Sequence, residues 1–336
     1  MHEIRLLGPG DEAPLERFLA ARRDGAQLLR ANLSRGGIAD RGAPYQGAYA
    51  ASLRRGAVTA VAAHYWNGML LLQADRDLER VARRALEASG RPLGGLLGPW
   101  DQVRRVARSL TLPPDSWGLD KPQKLMALDL MGLIVPEPLA RGELACRRAR
   151  SSELELLYNW RAAFAAETSG VPEDHALRMA ARQTIDLLQK SGDNWVLTRD
   201  GRLLATCTVL GETGETIQIG GVSTPQGRRN RGYGRAVVAG TLEAARARGR
   251  ARANLFTDNP AAERAYRAIG FTANGEVGLV MLGPAGGTVT ARRDACISAA
   301  YGVGSAHSGR GPVDNRGDSR GDNRRGRQTR LQVGRS

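Results

Sequence analysis

Lysine is almost absent from this 336-residue chain: of 49 basic residues, only Lys121, Lys124 and Lys190 are lysines. Cysteine is equally scarce, with Cys146, Cys207 and Cys296 widely spaced and forming no CxxC pair. An odd, scattered set of that kind argues against a disulfide framework and against a cysteine zinc site. His2, His64, His175 and His307 show no HExxH or paired spacing, so no metal site is expected. Long apolar runs are missing too. Ala57–Ala63 and Met69–Leu72 fall far short of the roughly 20 residues needed to span a bilayer. The opening MHEIRLLGPGDE has no basic segment ahead of an apolar core, so no secretory leader is expected and a cytoplasmic location is.

What remains is an ordinary globular composition, 42% hydrophobic and 25% charged, which excludes a wholly disordered protein. The length suits two domains and a tail. The formal net charge of +15 points to a polyanionic partner, whether nucleic acid, an anionic surface or a phosphate-rich ligand. It is concentrated in two places. Pro284–Ser336 holds ten Arg and four Asp, no Glu or Lys, and Leu331 as its one leucine, a net +6. Such a stretch cannot bury enough apolar surface to offset chain entropy, and a disordered Gly/Arg-rich tail over 284–336 is expected. With Tyr301 as its one aromatic, it offers little for base stacking. The second concentration is Arg228–Arg252, with eight Arg against Glu243, a net +7.

The rest divides near Val135–Gly142, where VPEPLARG follows a strand-like run over Leu125–Ile134. Ahead of it, a helical pattern (Ala13–Arg23) precedes strand-like segments at Gly47–Leu53, Ala57–Tyr65 and Met69–Gln73. A helix at Asp77–Ala88, a strand at Leu93–Leu97 and a helix opened by Gly98-Pro99-Trp100-Asp101 complete this part. After the boundary, a strand at Leu144–Arg148 leads into Ser152-Glu153-Leu154-Glu155, which reads as a capping box. Two amphipathic helices follow, then strands at Trp195–Thr198 and Leu203–Leu210 joined by Asp200-Gly201, and a third at Thr216–Val222. The chain then alternates helix (Arg235–Arg248), strand (Ala251–Phe256) and helix (Pro260–Ile269), ending in two strands turned by Asn274-Gly275. Both parts share this approximate order, as a diverged duplication would. The fold class is α/β (α+β): a mixed central sheet flanked by helices, with domains at 1–140 and 143–283.

The chemistry concentrates in Ile217–Phe271. Arg228-Arg229-Asn230-Arg231-Gly232-Tyr233-Gly234-Arg235 lies between a strand and a helix, where free backbone N–H groups and the helix dipole favour an anion. Glycines there let a phosphate approach the backbone, and the arginines supply charge-assisted hydrogen bonds. A plain tight turn with a solvated basic face fits the loop equally well on its own. Further on, Asn259 suits an N-cap and Pro260 a first helical residue, while Ala262, Tyr266 and Ile269 form one stripe ended by Gly270-Phe271.

Together these residues resemble a known family. Arg229-x-x-Gly232-x-Gly234 is similar to the [Q/R]-x-x-G-x-[G/A] pyrophosphate loop of the GCN5-related N-acetyltransferases (GNAT), and Asn259-x-x-Ala262-x-x-x-Tyr266 to their next motif. The resemblance covers about Leu144–Leu282. More loosely, residues 1–283 resemble bacterial members with a diverged acetyltransferase-like domain ahead of the catalytic one, that is, tandem GNAT-like domains. In the first domain Ala74-Asp75-Arg76-Asp77 stands where the loop would be, without glycine and with two carboxylates, so no pyrophosphate is expected there.

The resemblance implies acetyl-CoA as cosubstrate and an amine as acceptor. Val222 and Thr224 would contact the pantetheine arm through their backbone. Amides of Arg229, Asn230, Arg231, Gly232, Tyr233, Gly234 and Arg235 would hold the diphosphate, with Arg228 or Arg231 reaching the nucleotide phosphate. Asn259 would touch the pantetheine, cap its helix, or both. Tyr266 would protonate the departing thiolate. The base that many relatives carry as a Glu is Gln218 here, leaving Glu212, Glu215, Glu167 or water as candidates. Trp160, Trp195 and Tyr158 fit an acceptor pocket or, more simply, the core. A non-catalytic acyl-CoA sensor and a nucleic-acid-associated protein using the basic tail are the alternative readings, and the acceptor is left open.

Overall fold

Each half of the chain lays down the same series of elements. The first runs β1 (Glu3–Leu6), α1 (Glu12–Ala20), α2 (Gln27–Gly36), β2 (Gly47–Arg54), β3 (Ala57–Tyr65), β4 (Met69–Ala74), α3 (Leu78–Ser89), β5 (Gly95–Pro99), α4 (Trp100–Ser109) and β6 (Gln123–Asp129). After the short α5 (Glu137–Ala140), the second runs β7 (Ala145–Arg148), α6 (Leu154–Ser169), α7 (His175–Ser191), β8 (Asn194–Arg199), β9 (Arg202–Glu212) and β10 (Thr216–Ser223). It continues through α8 (Tyr233–Ala247), β11 (Arg252–Thr257) and α9 (Pro260–Arg267) to β12 (Thr272–Met281). The computed structural model describes residues 3–282 apart from 114, 115, 117, 119, 120, 170 and 171. The tail expected at 284–336, with Cys296 and His307, lies outside the described residues.

All twelve strands join one mixed sheet in the order β1-β2-β3-β4-β5-β12-β6-β11-β10-β9-β8-β7. The halves exchange their last strands. β6 pairs antiparallel with β11, from Arg252↔Asp129 to Thr257↔Lys124. β12 in turn pairs antiparallel with β5, from Val277↔Pro99 to Met281↔Gly95. The two exchanged strands also pair with each other at the centre. Parallel pairing occurs at β4/β5 and at β10/β11, the two places where a helix crosses over between neighbours.

The helices bury the faces their sequences specify. On α3, Leu78, Val81, Ala82 and Ala85 form the i, i+3, i+4 stripe and pack under β2 and β3. α8 is buried on most of its surface, through Ala236–Ala239, Leu242 and Ala245 against Val209, Ile217, Ile219 and Leu255. Each such Leu, Ile or Val contributes about 1.5–3 kcal/mol by leaving water, which fixes where α8 begins relative to the sheet.

Some expected elements differ. Asn274-Gly275 does not turn a hairpin: β12 is one strand, with a register shift between Ala273 and Glu276 and Gly275 at φ +124°. The asparagine-glycine pair makes a bulge because β6 already pairs residues on both sides of it. The strand expected over Leu125–Ile134 stops at Asp129, whose side chain accepts from the Met131 N–H and starts a 3₁₀ turn. In the expected capping box, the glutamate that reaches back is Glu153, bonding the Arg150 N–H at 2.8 Å.

Candidate active site

β10 and β11 pair only over Thr216–Gln218 and Arg252–Asn254. Beyond that, β10 shifts register against β9 between Gln218 and Ile219 and again between Gly220 and Ser223. β11 stays on β6 as far as Thr257. The strands therefore part, and the β11-facing backbone groups of Ile219–Ser223 have no strand partner. A cleft of about 1120 Å³ opens there. Val222, Thr224, Arg229, Asn230, Gly232, Tyr233, Gly234, Arg235, Asn259 and Tyr266 line it, whereas Arg231 is exposed and outside the lining.

The loop after β10 turns through a 3₁₀ segment at Gln226–Arg228, then through Asn230 (φ +61°) and Gly232 (φ +77°), before α8 starts at Tyr233. The Arg229 N–H is already bonded to Gln226 O at 3.3 Å, so the amides left for an anion begin at Asn230. The first intrahelical bond of α8 is Ala236 N–H to Gly232 O, at 3.1 Å. The N–H groups just before it lack helical acceptors and add the positive end of the dipole. Gly234 tells what this space is for. It has an ordinary helical position, and a Cβ there would meet nothing nearer than Thr224 Oγ1 at 3.6 Å and Val222 Cγ1 at 3.9 Å. Folding has no need of glycine at this point, yet a helical glycine costs about 0.8–1 kcal/mol against alanine.

The charges agree. Arg228 Nη1 is buried without a hydrogen-bond partner, its guanidinium 5.7 Å from the Trp160 ring centroid. A buried donor left unmade is expensive, and an anionic ligand is the natural acceptor. Arg229 is committed elsewhere, with its guanidinium on Glu167 at 2.7 and 2.5 Å and its Nε on Thr224 O at 3.0 Å. It latches the loop to α6 and to the end of β10. Glu167 is held below the usual carboxylate range by that pairing.

Across the cleft, Asn259 caps α9: its Oδ1 accepts from the Ala261 N–H at 2.8 Å and the Ala262 N–H at 3.3 Å. Tyr266 is 7% exposed, its ring tilted against Phe271 at 6.1 Å between centroids. Packing on Phe271 and within the main core of the second half fixes the ring, so it meets the cleft from a rigid wall.

Residues 154–271 match the profile of the acetyltransferase (GNAT) family. They form a GNAT acetyltransferase domain. No curated protein matches the chain in sequence. Among solved structures, a GCN5-related N-acetyltransferase from Sphaerobacter thermophilus shares the fold with a TM-score of 0.51 at 16% identity, over 83% of this chain and 94% of that one. A Drosophila protein gives 0.54 at 14% identity, over 83% and 98%. The GCN5-related glucosamine N-acetyltransferase region of a fungal multi-domain β-N-acetylglucosaminidase gives 0.50 at 14%; the chain matches over 83% of itself and spans 38% of that enzyme.

The GNAT domain does not enclose the cleft alone. Asn32 and Arg35 of α2, with Tyr45, Trp66 and Asn67, are among the first-half residues that also line it. Nothing in their spacing marks them, because two separate loops and a helix bring them together. Of the candidate bases, Glu212 is tied to Arg250 at 2.6 Å and Glu215 to Arg30 at 3.3 Å, and neither lines the cleft. Gln218 is buried, its Oε1 without a partner. Trp195 packs in the core and Tyr158 donates to Asp186 at 2.5 Å; both, like Trp160, lie outside the cleft lining. Cys207 is fully buried, and burial pushes its thiol well above the usual range, as expected of a packed side chain.

Proposed function

We propose that the protein transfers an acetyl group from acetyl-CoA to a primary amine by direct attack within a ternary complex. The observation that carries this is the parting of β10 from β11 over a helix start whose Gly234 leaves open space that folding does not require. An unpaired strand edge suits the amides of a pantetheine arm. The amides from Asn230 to Arg235 suit a diphosphate, and the buried Arg228 Nη1 that lacks an acceptor suits a further phosphate. Val222, Thr224 and Asn259 border the same channel, and the second half, residues 143–283, carries this work while the first, 1–140, walls the acceptor side.

Acetyl-CoA supplies the activated thioester. Holding both reactants in line is the main effect, worth about 7–11 kcal/mol at best. The amine nitrogen bonds the acyl carbon, the carbon–sulfur bond breaks, and the nitrogen's proton passes to water. Tyr266 gives its hydroxyl proton to the departing thiolate and regains one from the water that took the nitrogen's proton, a step that typically contributes roughly 10²–10⁴-fold. No covalent enzyme intermediate enters. The test is thiol release from acetyl-CoA across an amine panel, with Tyr266→Phe beside the wild type. Turnover should fall about 10²-fold or more with acetyl-CoA affinity kept. Equal turnover in both proteins refutes the acid role, and no thiol release with any amine refutes transfer.

A further inference from the structure

The wall that the first half gives the cleft carries one cation and no carboxylate among its described residues: Arg35 of α2. Several contacts fix its guanidinium. Behind it, Asp193 Oδ2 lies 3.0 Å from Nη2. Asp193 is 6% exposed and is itself held by both backbone groups, its N–H on Leu188 O at 2.8 Å and its carbonyl accepting from the Val209 N–H at 2.9 Å. Beneath the guanidinium lies the Tyr45 ring, 5.1 Å to its centroid, and that ring leans on Trp66 at 5.1 Å. Tyr45 takes φ +68°, a left-handed conformation that a bulky residue adopts only when its surroundings impose it. Burial raises the Asp193 carboxyl and Arg35 opposes that effect, so the pair acts as a unit.

A guanidinium presents five N–H donors in one plane. Asp193 lies against Nη2 as an ion pair, and the arginine side chain remains 24% exposed against 8% for the aspartate and lines the cleft, so N–H donors remain for a second anion. The carboxylates among the described cleft residues are already spent: Glu167 pairs with Arg229 at 2.5 Å and Asp258 with Lys121 at 3.1 Å. The site thus offers an oriented fork for an anion and an aromatic floor, and no unpaired carboxylate for a second ammonium.

We propose that Arg35 binds a carboxylate on the acceptor, so that the amine accepted is an apolar or aromatic amino acid and not a polyamine or a lysine side chain. This rests on the transfer reading above, and it names the acceptor for that same cleft. Bidentate pairing of arginine with carboxylate supplies both attraction and orientation of the neighbouring amine.

The test uses product analogues, so that it does not depend on turnover. Calorimetry on the full chain saturated with CoA compares N-acetylphenylalanine with N-phenethylacetamide, which lacks only the carboxylate. The wild type should favour the carboxylate by about tenfold or more. Removing Arg35 alone strands a buried aspartate, so the double variant Arg35→Met with Asp193→Asn is the main comparison, and Arg35→Lys, which keeps the charge but not the fork, is the second. The double variant should lose the preference and Arg35→Lys should reduce it, both retaining acetyl-CoA affinity. Equal binding of the two analogues to the wild type, weak binding of both, or a preference surviving in the double variant overturns the assignment. Failure of the transfer reading is seen separately, as absent thiol release from acetyl-CoA with any amine.

Discussion

Replacing Gly234 by glutamate should make the protein more stable and useless at once. The helix gains from losing a glycine, about 0.8–1 kcal/mol on the alanine scale. A carboxylate in the first turn adds about 0.3–1 kcal/mol by facing the positive end of the helix. Room exists for it: the added Cβ would lie 3.6 Å from Thr224 Oγ1, and the rest of the side chain extends into the cleft. About 1 kcal/mol corresponds to roughly 2–4 °C in a folded unit of this size. Acetyl-CoA at a hundred times its Kd stabilises the wild type by about 2.7 kcal/mol, and a variant with a carboxylate in the phosphate place by nothing. Melting curves should therefore cross: the variant melts higher without acetyl-CoA, the wild type higher with it. Gly234→Ala separates the two effects: it should melt higher alone, and lose far less acetyl-CoA affinity than Gly234→Glu, since a methyl narrows the phosphate's approach without opposing its charge. A Gly234→Glu protein that melts lower alone would mean the fold needs this glycine, and one that binds acetyl-CoA normally in calorimetry would refute the loop assignment.

Three further outcomes are expected. His64 is buried, its Nε2 donating to Gly68 O at 3.1 Å and its Nδ1 accepting from Ser89 at 2.5 Å; burial lowers it from 6.5 to about 4. The neutral form is the folded one, so stability is full above pH 6.5 and falls by roughly 3 kcal/mol on acidification to pH 4; urea titrations of His64→Gln should lack that slope. Glu167→Gln should leave the pH–rate profile unmoved and stability within about 1 kcal/mol, because its carboxylate is already ionised on Arg229 at the surface; a lost basic limb would make it the base after all. Gln102→Ala should cost about 1–3 kcal/mol in urea unfolding, since the Gln102 amide bonds both the N–H and the C=O of buried Ala74, at 2.9 and 2.8 Å; no change would mean that water takes its place.

The second half was legible because its signals are local. The loop, the Asn259 cap and the Tyr266 stripe each sit on consecutive or helically spaced residues, and backbone geometry alone turns them into one cleft. α2 was not legible. It buries Gln27, Arg30 and Asn32 as well as Leu29, Ala31 and Leu33, because the first half covers one side and β9 the other. Polar partners on both sides, such as Thr216 O for Gln27 at 3.1 Å and Glu16 for Arg30 at 2.6 Å, erase the apolar stripe that marks an ordinary helix. The rest of that cleft wall was missed because Tyr45, Trp66 and Asn67 stand on loops that only the fold brings beside α2. Exchange of β6 and β12 is equally invisible, since alternation records which face of a strand is buried and not which neighbour it joins.

The repeat shows what stands in the first half at the place that corresponds to the cleft. β4 and β5 pair in parallel over Met69–Leu71 and Gly95–Leu97, as β10 and β11 do, and the same parting of strands is prepared beyond. There Gln102, in the first turn of α4, turns its amide onto Ala74 and takes the hydrogen bonds an extended ligand would make. At the start of α3, the counterpart of α8, stand Asp75, paired with Arg22 at 2.5 Å, and Asp77, which accepts from Ser52 at 2.7 Å. An anion meets carboxylates there, where the second half offers free amides and Arg228. A side chain fills the strand edge and two negative charges guard the helix start, so the first half keeps the topology of a binding site with its chemistry inverted. Its surviving contribution is the surface it turns toward its neighbour's cleft, which is the surface the Arg35 variants put to the test.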